Sequence, residues 1–87
     1  MTKNEQTQSD AEKRQKIAHQ LALMESALYV AGRPLDLKTL AGVVGSRSKK
    51  RVRKLATVLV ENYKNRQTAI EILEVEGERF VMQLKTE

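Results

Sequence analysis

The spacing of apolar residues changes once along this chain, near Thr68, and that change separates a helical part from a strand part. Before it, Ile17, Leu21, Met24, Leu28 and Ala31 recur at intervals of 4, 3, 4 and 3, which sets them on one face of a helix. Val52, Leu55, Ala56, Leu59 and Tyr63 form a second helical stripe. After it, Ile70, Ile72, Leu73 and Val75 make a β-rich run, and Phe80, Met82 and Leu84 alternate strictly.

Start and stop signals divide the helical part into three. Ser9-Asp10-Ala11-Glu12 has the form of a capping box, so the first helix is expected from Ser9 to about Ala31. Residues 1–8 are polar and without period and are expected to be a disordered tail, leaving residues 9–87 as the folded domain. Gly32 breaks the first helix, and Pro34 forbids its continuation. Asp36 caps a short helix over Leu37 to Val44, which Gly45 ends. Ser46 or Ser48 then caps a third helix reaching roughly to Asn65. Glu76-Gly77-Glu78 supplies a turn with one positive-φ position between the two strands. The expected architecture is mainly α with a small β-hairpin: a winged helix, in which helices two and three form a helix-turn-helix and the hairpin is the wing.

At 87 residues this is one small domain that buries only about 60–65% of the surface its unfolded chain exposes. It has no cysteine, which excludes disulfides, iron–sulfur clusters and thiolate zinc sites. His19 is the only histidine and falls away from the core stripe, so neither a histidine metal cage nor a catalytic histidine is expected. No Ser/His/Asp set stands out, and Gly42-Val43-Val44-Gly45 lacks the context of a phosphate loop. Neither a signal peptide nor a membrane-spanning run is present, so the expectation is a cytoplasmic protein that is not an enzyme and carries no metal or cofactor.

The net charge of +5 is unevenly placed. Residues 21–54 carry eight bases and two acids, whereas residues 55–87 carry four bases and six acids. Arg47, Lys50, Arg51, Arg53 and Lys54 cluster at the start of the third helix, where a DNA reader places its recognition helix, and are the candidate DNA contacts. Cations at a helix N-terminus oppose the helix dipole, so the run is locally unfavourable, as residues kept for binding often are. The wing speaks against DNA: Glu71, Glu74, Glu76 and Glu78 are answered only by Arg79 and Lys85. A DNA-binding regulator using the basic third helix is therefore the alternative reading.

The leading reading comes from the first helix. Eleven of the fifteen residues from Ile17 to Ala31 are apolar or tyrosine, more than one core-facing stripe needs. Leu23, Ala27, Tyr29 and Val30 lie off that stripe and are the candidate protein interface, with a second copy of the chain as the expected partner.

The stretch MESALYVAGRPLDLKTLAGVVG resembles the opening of the segregation and condensation protein B family. The residues that carry the resemblance are Glu25, Ala27-Leu28-Tyr29, Ala31-Gly32-Arg33-Pro34-Leu35 and Leu40-Ala41. Leu55, Leu59 and Tyr63 look like the family's third helix, and ILEVEGERFVMQLK resembles its wing, so that the likeness covers about residues 21–86. The third helix is more basic here than is common in that family. The resemblance implies a non-catalytic winged-helix subunit that homodimerises, binds the kleisin subunit ScpA and through it serves the ATPase of the structural-maintenance-of-chromosomes (SMC) complex on the nucleoid.

Overall fold

A computed structural model describes residues 2–86, with side chains from Asp10 onward. The elements run α1 (Thr2–Ala31), β1 (Leu35–Asp36), α2 (Leu37–Val44), α3 (Lys49–Lys64), β2 (Ile70–Val75) and β3 (Arg79–Leu84). The winged helix expected from the change of period is present, but its sheet has three strands in the order β1-β3-β2. In the register, Leu35 faces Phe80 and Ile72 faces Met82, both pairings antiparallel.

Two boundaries differ from the sequence expectation. Helix α1 begins at Thr2 rather than at Ser9, so the Ser9–Glu12 box lies within the helix; Met1 lies outside the described residues. An established helix gains a hydrogen bond for each residue it adds, and residues 2–8 contain no Gly or Pro to stop it. Strand β1 is two residues long, too short for any period to show. It forms because the chain leaving α1 after Gly32, at φ 61°, turns back alongside β3.

The other boundaries follow their local chemistry. Asp36 caps α2 by accepting the Thr39 N–H at 2.8 Å, and Gly45, at φ 70°, closes it in the left-handed conformation. Ser48 caps α3 by accepting the Arg51 N–H at 3.1 Å, while the Ser46 hydroxyl accepts from the Ser48 N–H. The β2–β3 turn holds two positive-φ residues, Gly77 and Glu78, where one was expected.

The core joins all three helices to the inner face of the sheet. Met24 and Leu28 of α1 pack with Leu40 of α2, Val52 and Leu59 of α3, and Ile72 and Phe80 of the hairpin. The stripe read from the sequence holds for Met24 and Leu28, thins to half-buried at Leu21 and Ala31, and fails at Ile17, which is exposed. The body of the domain packs beside the C-terminal half of α1, and every residue from Asp10 to His19 is exposed. Among the described residues, no helix is long and apolar enough to cross a membrane.

Candidate functional site

Two surface regions gather the residues singled out by the sequence. The first is a groove of about 680 Å³ between the C-terminal half of α1, the end of α3 and the hairpin. Ala22, Ser26, Tyr29 and Val30 form one wall, with Ile70 and Met82 opposite and Tyr63 at the base. A smaller recess beside it continues past Tyr29 to Leu84. Tyr29, Val30 and Leu84 are 72%, 81% and 70% exposed, which makes this the main unpartnered apolar surface among the described residues.

The four candidate interface residues are not equivalent. Tyr29 and Val30 face the groove, Leu23 is about one-third exposed, and Ala27 is half-buried against the protein's own core. Leu84 is the residue that helical reasoning missed. The strict alternation that placed it on the Phe80 face carries it past the end of the core, where nothing covers it.

At the base of the groove the Tyr63 hydroxyl donates to Glu25 Oε2, tying the end of α3 to α1. That hydrogen bond, with burial second and the nearby carboxylate charge third, raises the Tyr63 pKa above its usual value of 10. The Arg66 guanidinium lies 4.7 Å from the centre of the Tyr63 ring and covers its other side.

The second region is the start of α3, where the five candidate DNA contacts separate by flank. Arg53 points to the wing and is held by Glu74 at 2.9 Å and Glu78 at 2.7 Å. The hydrogen bonds that it donates to Glu78 and then to Glu74 raise its pKa. Arg51 points the other way, to α1, and donates to Gln20 Oε1 at 2.9 Å. Gln20 in turn donates from Nε2 to the Val44 carbonyl at 3.1 Å, and it is the only buried polar side chain among the described residues. This amide therefore links the first turn of α3, the last turn of α2 and the middle of α1. Its burial was not legible, because Gln20 sits at the edge of an otherwise apolar stripe. Arg47, Lys50 and Lys54 are exposed, and among the described residues no carboxylate lies within ion-pair distance of them. Among the described residues there is also no cluster of three potential metal ligands.

A helix-turn-helix backed by a hairpin, with an apolar groove at one end and charged flanks on α3, defines a winged-helix domain. The family model described as segregation and condensation complex subunit ScpB matches residues 22–87, and the chain belongs to that family. It is accordingly a subunit of a segregation and condensation complex, working in chromosome segregation and condensation with an SMC complex. A non-catalytic subunit associated with SMC and ScpA is what that membership implies. Among curated proteins, none matches the chain.

Proposed function

We propose that this chain is a non-catalytic, protein-binding subunit that homodimerises through the C-terminal half of α1 and, so assembled, engages the kleisin ScpA and through it the SMC ATPase on the nucleoid. One observation carries the dimer: Tyr29, Val30 and Leu84 stand exposed around a groove that the domain's own elements leave open. In so small a domain, apolar area of this kind costs free energy in water and is recovered by association. Charged groups are sparse there, Glu25 being the one carboxylate on the groove and already bonded to Tyr63.

Sedimentation equilibrium tests this directly. The chain is expected to pass from monomer to dimer as its concentration rises through the micromolar range. Val30→Glu combined with Leu23→Glu is expected to hold it monomeric with an unchanged far-ultraviolet spectrum. A strict monomer at high micromolar concentration, indifferent to both substitutions, would sink the dimer. Co-precipitation with ScpA, alone and with the double variant, separates kleisin binding from self-association.

A further inference from the structure

We infer that this protein holds a nucleic-acid phosphate-backbone site in the recess between α1 and α3, formed by Lys13, Lys16 and Arg51 and continued by Lys54, on the side of α3 away from the wing. It goes beyond the protein-binding role and does not depend on the groove.

The recess has a volume of about 250 Å³ and is lined by Lys13, Lys16, Ile17 and Arg51, with no acidic residue among them. Its three cations come from two helices that meet there. Lys13 and Lys16 are one turn apart on α1, and Lys54 follows Arg51 by one turn on α3, so the positive charge forms a band rather than a point. A band suits a linear polyanion, in which successive phosphates are each met by a cation and release counterions. Arg51 stands in the first turn of α3, where the positive end of the helix dipole adds to the field.

Arg51 is also pre-oriented. The buried Gln20 amide takes one of its N–H groups, and the guanidinium has four more to offer. Among the described residues, none of these three cations is within ion-pair distance of a carboxylate. The wing flank is the opposite case: Arg53 is satisfied by Glu74 and Glu78, and Lys49 shares its recess with Asp36 and Glu78. A duplex is therefore expected to lie along α1 and α3 with the wing turned away from it. Double-stranded DNA, the substance of chromosome condensation, is the committed ligand.

The test is fluorescence anisotropy of the full chain with a mixed-sequence DNA duplex of about 30 base pairs, titrated from about 50 mM salt upward. Lys13→Glu with Lys16→Glu is expected to weaken binding at least about tenfold and to flatten the slope of log K against log salt by about two. Lys64→Glu with Lys85→Glu changes the net charge by the same amount outside the recess and is expected to leave binding within about twofold. The neutral pair Lys13→Gln with Lys16→Gln is expected to fall between, and circular dichroism checks that each variant is folded. Equal losses in both charge-reversal pairs would reduce the effect to overall charge and overturn the site. So would no binding by the unaltered chain at about 50 mM salt, or displacement of the duplex by polyglutamate at equal charge concentration, which would make the recess an acidic-peptide site.

Discussion

Arg51 and Arg53 are two residues apart on one helix, yet they have opposite circumstances. Arg53 faces the wing, and two carboxylates occupy its guanidinium. Arg51 faces α1, where a neutral amide holds it in place and leaves its charge unbalanced. Residue type is the same, and so is position within the first turns of α3. What differs is the charge of the element packed alongside: an acidic hairpin on one flank, and on the other a helix bearing Lys13 and Lys16. The availability of a cation is thus a tertiary property.

The largest expected effect removes one side of this comparison. Phe80, on the central strand β3, is fully buried in the core, and Phe80→Ala is expected to cost about 3–5 kcal/mol in urea unfolding. With the hairpin loosened, Arg53 loses its partners and the two arginines become alike. Next comes Gln20→Leu, which strands the Val44 carbonyl and releases Arg51, at about 1–3 kcal/mol. If Arg51 acts through Gln20, then adding Arg51→Gln to that variant costs less than it does alone, as a double-mutant cycle would measure. Ser48→Ala removes the cap beneath both arginines and is expected to cost about 1 kcal/mol, without favouring either flank.

The far end of α3 supplies a pH-dependent reference. Because the folded-state pKa of Tyr63 is raised, its contribution is complete below pH 10 and is lost as pH climbs through the raised value. In a Tyr29→Phe background, absorbance near 295 nm is expected to show the remaining tyrosine ionising above pH 10, with the unfolding midpoint falling over the same window. Smallest of all is Glu74→Gln with Glu78→Gln. Exposed ion pairs contribute little, so the thermal midpoint should stay within about 2 °C. Duplex affinity should stay within about twofold. A tenfold rise would show that the wing flank also meets the duplex, and the contrast between the two arginines would dissolve.

Much of this fold was legible because periodicity and capping are local. The bounds of α2, the stripe of α3 and the hairpin around Gly77 follow from neighbours within four residues. What escaped depends on contacts distant in sequence. Strand β1 exists only through its pairing with β3, and Gln20 is buried only because Val44 and Arg51 come to it from 24 and 31 residues away. The candidate interface was partly readable for the same reason. A helix wheel finds Tyr29 and Val30 but cannot show that Ala27 leans on the core, nor that Leu84 extends the apolar surface from another element. The run of basic residues was plain, and its division between two flanks was not.

Helix α1 is one unbroken rod of 30 residues, about 45 Å from end to end, in a molecule 53 Å along its greatest dimension. Its C-terminal half is gripped by the domain, so the remainder acts as a lever. Over about 20 Å of free length, a pivot of about 5° at the gripped end sweeps the tip by roughly 2 Å. Tyr29 and Val30 ride on the same rod as Lys13 and Lys16, about 20–25 Å apart along its axis. The apolar groove and the basic recess therefore occupy two stations of a single helix, held at a fixed spacing by its rise.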